Sequence, residues 1–343
     1  MKAMGFYKYG GPEAIEPLEV DAPKPGDGEV VVRVACTSVN RLDILVRSGY
    51  HNLKLKMPHI PGTDMVGRVE EIGKNVSTVA VGDLVISNNL YGCGKCGQCL
   101  GKNEVLCREW TVPGMHVWGA YSELVKLPSS IVVEAPKDYS VDELGSMTLN
   151  LPVMWRCINT LAMARRGESI AIRAASGNSG LFAVLISKAL GLEVIALSRS
   201  EDKRERLLKL GAGHVIDQNL DKNELTGKVL EATGGKGADI VIDPLGETLA
   251  DSVAIARNGG RVVSLGVLGG TQSTIDVKSL YLKNVKIIGM HNTNMQDFIE
   301  AFDFASQNKI KPIIAQRLPM GKAREAQEIL ARGDCFGKIV LSN

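Results

Sequence analysis

The sequence predicts an α/β protein: a doubly wound unit with a parallel sheet, joined in one chain to a second, β-rich unit that reads as a partly closed barrel. Three observations carry this. From about Leu151 short apolar runs alternate with helical patterns, as in a parallel sheet covered on both faces. Before about Asn150 the apolar runs are strand-like and separated by turns such as Gly10-Gly11-Pro12 and Pro23-Lys24-Pro25-Gly26. The length, 343 residues, suits two domains better than one small core.

The doubly wound unit is organised around Ser169 to Arg199. Ser169-Ile170-Ala171-Ile172 is too short for a helix and apolar enough for a buried strand. The turn Ala174-Ala175-Ser176-Gly177-Asn178-Ser179-Gly180 follows, then a helical pattern from Leu181 to Leu190 that Gly191 stops. Glu193 to Leu197 is the next strand. Strand, tight turn, helix, strand is the unit that sets a pyrophosphate on a helix N-terminus. Gly177 lets backbone approach the phosphates and Gly180 lets the helix close on the strand, while Ala175 stands where a first glycine is usual. Ser176, Gly177, Asn178, Ser179 and Gly180 are therefore the expected cradle.

The end of the second strand bears on the cofactor. A carboxylate there would bind ribose hydroxyls and repel a 2′-phosphate. Instead Ser198 and Arg199 stand there, with Lys203 a helical turn on, so NADP(H) is expected over NAD(H). Further strands are expected at Asp239 to Asp243, Arg261 to Leu265 and Val285 to Ile288. The last reads as a sheet edge, which invites pairing into a homodimer or homotetramer.

In the β-rich half Glu29 to Val34, Gly67 to Ile72 and Asp83 to Ile86 read as strands. The tail carries a helix, Ala323 to Arg332, and a last strand, Lys338 to Leu341. Four of the seven cysteines crowd together as Cys93-x2-Cys96-x2-Cys99-x7-Cys107. Four thiolates at this spacing close a tetrahedral Zn²⁺ site with no open position, hence a structural one. An iron–sulfur run would bring its last cysteine sooner and before a proline; here Arg108 follows Cys107. Net charge of +2 argues against a dedicated nucleic-acid or membrane-surface protein. No apolar run reaches the roughly 20 residues of a membrane span. The start Met1-Lys2-Ala3-Met4-Gly5 lacks a signal-peptide core, and a cytoplasmic location is expected.

Taken in order, Gly10-Gly11-Pro12-Glu13, Val39-Asn40-Arg41-Leu42-Asp43, Pro61 to Gly67, the cysteine lobe, the nucleotide turn, Gly234 to Asp239 and Phe336-Gly337-Lys338 resemble the medium-chain dehydrogenase/reductase superfamily. That resemblance implies a Rossmann coenzyme domain (151–291) inserted in a GroES-like catalytic domain made from both chain ends (1–150 and 292–343). Zinc alcohol dehydrogenases in this superfamily hold a catalytic metal at positions matched here by Asn40, Thr63 with Asp64, and Leu149, and the principal ligands are gone. Thr63 and Leu149 are poor soft ligands. A site rebuilt from Asp43, His51, Cys36 and Asp64 is the alternative, but any zinc is expected to be structural only.

Without a Lewis acid the easier acceptors are those that delocalise charge once hydride arrives, such as enones and quinones. The Asn40-x-x-Asp43 pattern also resembles the quinone-reductase branch. Asn40 is the first choice for orienting substrate, with Thr63 beside it, Tyr50 or His51 as proton donor, and Trp155 lining the pocket or simply packing. That branch often carries a tyrosine at the Leu45 position, which is absent here. From the family pattern Gly266, Val267, His291 and Asn292 should approach the nicotinamide, and Lys338 a phosphate. The rival readings are an alcohol or aldehyde dehydrogenase and a non-catalytic NADPH-binding sensor.

Overall fold

The computed structural model describes residues 1–49 and 53–343 and divides them into two compact units. The first comprises Met1–Pro152, Thr293–Ser306 and Lys311–Asn343; the second comprises Val153–Asn292 and Gln307–Ile310.

The second unit is a six-stranded sheet of β1 (Ser169–Ile172), β2 (Glu193–Ser198), β3 (His214–Asp217), β4 (Ala238–Asp243), β5 (Ala256–Ser264) and β6 (Lys286–Gly289). Every neighbouring pair is parallel and the order is β3-β2-β1-β4-β5-β6, so the winding reverses between β1 and β4. Ligands of such sheets bind outside the carboxyl ends of the strands at this reversal. β1 is buried at every residue, which is why its sequence is a continuous apolar run rather than an alternation. The connecting helices are α1 (Asn178–Leu190), α2 (Glu201–Leu210), α3 (Lys222–Ala232), α4 (Leu249–Ile255) and α5 (Val277–Leu282). α1 starts at Asn178, three residues before its apolar pattern, because the polar first turn belongs to the phosphate-binding bend. It ends at Gly191, whose φ of +75° a side chain would strain. β6 lies at the sheet edge and is largely exposed, with Ile287 36% accessible.

The first unit is built around the long strand Glu29–Ser38, part of a seven-stranded sheet. It pairs antiparallel with Val66–Ile72, Leu124–Pro128 and the C-terminal strand Lys338–Ser342. Val30, Val32, Val34, Val69, Val85 and Leu127 fill the core under this sheet. The C-terminal strand meets the N-terminal sheet in the register Val340↔Ser38, Leu341↔Thr37 and Ser342↔Cys36. Continued by two residues, this register sets Lys338 opposite Asn40. The backbone bond from Val39 N–H to Ile339 O, 2.9 Å, holds that alignment. Gly337 turns into the strand at a φ of +121°, where a Cβ would meet Ile313 O at 2.5 Å. Among the described residues, no helix is long and apolar enough to cross a membrane.

Candidate active site

In the second unit the cradle forms at the start of α1. Gly177 caps the helix with no side chain to accept the first-turn N–H groups, an arrangement suited to an anion. Ala174 takes a φ of +50° at the top of the turn, and buried Ala175 is tied back to Leu197 O by its N–H at 2.9 Å. A Cβ on Gly180 would meet Ala174 O at 2.5 Å, so only glycine allows α1 this close to the β1 turn. Gly180→Ala is expected to cost about 1–3 kcal/mol by overpacking, read as a lower urea midpoint, and to weaken binding of the nicotinamide cofactor in the same preparation.

The strand end is more internally bonded than its composition suggests. Ser198 is buried, and its hydroxyl lies 2.9 Å from that of Ser176. Arg199 is exposed and Lys203 half-buried. Sequence reasoning missed Arg204, whose guanidinium donates to Ser198 O at 3.0 Å and Arg199 O at 3.1 Å and pairs with Asp217 at 3.1 Å. It fixes the backbone from which Arg199 projects. Gly266 and Val267 line a cleft of about 710 Å³ at the carboxyl ends of β4 and β5, with Gly246, Glu247 and Thr271. His291 is exposed and Asn292 buried just after β6, while Trp155 is buried at the end of the helix Asn150–Trp155.

In the first unit the Sγ atoms of Cys93, Cys96, Cys99 and Cys107 all lie within 4.8 Å of one another. The Cys96–Cys99 and Cys96–Cys107 separations are 3.5 and 3.8 Å. Tetrahedral zinc with Zn–S near 2.3 Å requires edges of about 3.8 Å. Backbone N–H groups of Cys93 and Glu109 point at the Cys107 sulfur, and those of Lys95 and Cys96 hold the Cys93 thiol down at about 7. Gly92 has no room for a side chain, since a Cβ there would meet Cys99 Sγ at 2.5 Å. The donor set fits one structural zinc ion.

The second cluster of the first unit centres on Asp64, which is completely buried. Its Oδ1 accepts from Thr148 Oγ1 at 2.8 Å and Leu149 N–H at 2.7 Å. Its Oδ2 accepts from Ser38 Oγ, from Asn40 Nδ2 at 2.7 Å and from Lys338 Nζ at 2.9 Å. Burial pushes the Asp64 carboxyl up, but the charge of Lys338 and the hydrogen bonds outweigh it and hold the group below its ordinary value. Asp64 is thus a buried anion. Lys338, 1% exposed, also donates to Asn40 Oδ1 at 2.7 Å and Asn150 Oδ1 at 2.9 Å. An ammonium has three protons, and all are engaged.

Two expectations change here. The Lys338 head, expected at a phosphate, is instead buried among three side-chain acceptors of its own unit. Asn40 does not donate to a substrate, because its amide N–H groups serve Asp64 and, at 3.3 Å, Thr63 Oγ1. Thr63 itself, 3% exposed, accepts from Asn40 and has no acceptor for its own proton among the described residues. Tyr50 and His51 lie outside the described residues.

Asp43 completes the surroundings. Its carboxylate accepts from Asn40 N–H at 2.8 Å, Gly62 N–H at 3.2 Å and Tyr121 OH at 3.3 Å, and burial pushes it up to about 7. Such a group favours the folded state most at low pH, and that contribution is lost as pH rises through about 7. Cys36 is buried against Gly145, and burial raises its thiol to about 12. Neither belongs to a metal cluster; among the described residues the candidate metal cluster is the cysteine lobe.

A nucleotide cradle in a doubly wound sheet, carried in one chain with a four-cysteine lobe and a barrel-like sheet, defines a nicotinamide-dependent oxidoreductase. Residues 26–137 match the family model described as alcohol dehydrogenase GroES-like domain, and residues 180–307 that described as zinc-binding dehydrogenase. The chain is 31% identical to an alcohol dehydrogenase of Geobacillus stearothermophilus over 99% of both chains. It is 29% identical to an acryloyl-coenzyme A reductase of Sulfurisphaera tokodaii over 94% of this chain and 95% of that one. A crystal structure of an NAD-dependent alcohol dehydrogenase superposes with a TM-score of 0.93 at 31% identity, covering all of both chains. The protein belongs to the medium-chain dehydrogenase/reductase superfamily.

The catalytic zinc of the family's alcohol dehydrogenase branch does not fit this chain. Its matching positions hold an amide, a hydroxyl and an apolar side chain, and the amide and neighbouring carboxylate are already bonded to Lys338.

Proposed function

We propose that this chain is an NADPH-dependent reductase of activated double bonds or quinones that works without a catalytic metal. One observation carries the reading: the buried chain Lys338–Asn40–Thr63 leaves the Thr63 hydroxyl accepting from Asn40 with its own proton uncommitted among the described residues, at a position that holds a metal ligand in the zinc branch. When bound, the nicotinamide supplies the hydride. Hydride addition to the β-carbon of an enone moves the π electron pair onto the carbonyl oxygen, and the Thr63 hydroxyl donates a hydrogen bond to that oxygen. The resulting enolate charge is delocalised, so one neutral donor has less to stabilise than at a localised alkoxide. A proton from His51 or Tyr50, which follow Gly49 in the sequence, completes the product. The alcohol or aldehyde dehydrogenase reading keeps support from the 31% identity to alcohol dehydrogenases.

The cofactor preference rests on Arg199, held out by the Arg204-braced strand end where a ribose-binding carboxylate would stand. Arg199→Asp is expected to raise the KM for NADPH about 10-fold or more, the loss of one charge-assisted bond, and to lower that for NADH. Equal effects on both cofactors would remove Arg199 from the 2′-phosphate site. The exposed edge strand β6 supports association of two chains through their sheets.

The reading is tested by NADPH oxidation against quinones, enones, enoyl thioesters and aldehydes, with zinc counted on the same preparation. Turnover confined to conjugated acceptors at one zinc per chain is the expected result. Aldehyde turnover at two zincs per chain would replace it with the alcohol dehydrogenase reading.

A further inference from the structure

We propose that Gln218 is a positioning residue for the cofactor: its side-chain oxygen holds Ala174 in the left-handed conformation on which the phosphate cradle is built. The inference rests on the reading of Ala174 to Gly180 as that cradle. It depends neither on the preference for NADP(H) nor on the class of substrate.

Ala174 is the strained residue of the turn. Its φ of +50° lies where a Cβ crowds the backbone and where glycine stands at little cost. The residues on either side are tied to the sheet. Arg173 N–H donates to Ile242 O at 3.1 Å, and Ala175 N–H to Leu197 O at 2.9 Å. Between them the Ala174 N–H meets a side chain instead, donating to Gln218 Oε1 at 2.7 Å. A left-handed residue other than glycine persists where its surroundings over-determine it. Gln218 supplies the bond at the strained residue itself.

The sheet delivers Gln218 to this point. Asp217, the last residue of β3, pairs with Ser198, the last of β2, so Gln218 leaves the sheet beside the end of β2. Its N–H donates to Ser198 O at 3.3 Å, the carbonyl that Arg204 also holds. From there its side chain reaches past β2 to the turn that follows β1. The Ala174 carbonyl in turn accepts from Gly177 N–H at 2.9 Å, and it is the atom against which Gly180 closes. Releasing Ala174 moves that carbonyl, and with it the backbone from Gly177 to Gly180 that takes the phosphates. NADPH and NADH carry the same pyrophosphate, so both must feel the change.

The experiment measures Kd for NADPH and for NADH on the full chain, by quenching of protein fluorescence. Gln218→Leu leaves the Ala174 N–H without its acceptor and is expected to raise both Kd values about 10-fold. Gln218→Glu keeps an oxygen at the same reach and is expected to restore NADH binding. Ala174→Gly removes the strain, so Gln218→Leu added to it should raise Kd by less than about threefold. An equal loss in the native and the Ala174→Gly backgrounds would mean that Gln218 acts on the nucleotide itself, and overturns the proposal. An unchanged Kd in Gln218→Leu also overturns it. Should Gln218→Leu not fold, Gln218→Ala removes the same oxygen with less apolar bulk and decides by the same comparison. A native chain that binds neither nucleotide would instead strike the cradle reading, and the proposal with it. None of these values depends on turnover.

Discussion

Lys338→Met is expected to remove about 3–5 kcal/mol of folding stability, the range for breaking a buried ion pair by deleting one partner. The loss comes less from the missing attraction than from what remains. Asp64 stays fully buried with an uncompensated charge, and the Asn40 and Asn150 oxygens lose the Lys338 hydrogen bond. The double variant Asp64→Asn/Lys338→Met should recover much of the loss, because no charge is then left in the interior. Urea denaturation of the single and double variants measures both. A single-variant loss under 1 kcal/mol, the level of an exposed pair, would mean that the bridge is solvated.

The pH dependence supplies an independent sign. In the native chain Asp64 is held below its ordinary value, so its contribution is full above the normal carboxylate range and is lost as pH falls through the folded value. Without Lys338 the same carboxyl is raised by burial, and its penalty grows as pH rises through that raised value. The stability gap between native protein and Lys338→Met should therefore narrow toward acid and widen toward neutrality.

The contrast between Lys338 and the nucleotide turn shows what a sequence discloses. Gly177, Gly180 and the buried run Ser169–Ile172 are legible because their constraints are local: a helix closes on a strand, and a backbone approaches an anion within a dozen residues. The cysteine lobe is legible for the same reason. Its ligands are fixed by short spacings, and Gly92 is required by its sulfurs. Lys338 and Asn40 lie 298 positions apart, and only the pairing of the last strand with the first long one brings them together. A signal was present in the acid of Gly62-Thr63-Asp64-Met65-Val66: a carboxylate set just before an apolar strand start, if buried, needs a cation or hydrogen-bond donors. Nothing local says which of forty lysines and arginines provides it. Arg204 escaped notice because one helical turn past a strand offers both Lys203 and Arg204, and only the geometry separates them.

Thr63→Val carries the largest expected effect on turnover. Valine copies the shape of threonine and leaves the Lys338–Asp64 bridge intact, so it deletes the hydroxyl donor and little else. Removing one donor from an oxyanion site lowers kcat about 10²–10³-fold, and that loss is expected with enones and quinones alike. NADPH affinity, read by quenching of protein fluorescence, should change less than twofold, since the cradle belongs to the other unit. Stability should fall by only about 1 kcal/mol, for the hydrogen bond from Asn40 that no longer has an acceptor. Thr63→Ser keeps the hydroxyl with one methyl fewer and should hold kcat within tenfold of the native value. If Thr63→Val instead turns over as the native chain does, the acceptor oxygen is held elsewhere. The hydroxyl would then serve only to satisfy the Asn40 amide, and Lys338 would be left with the single task of neutralising Asp64.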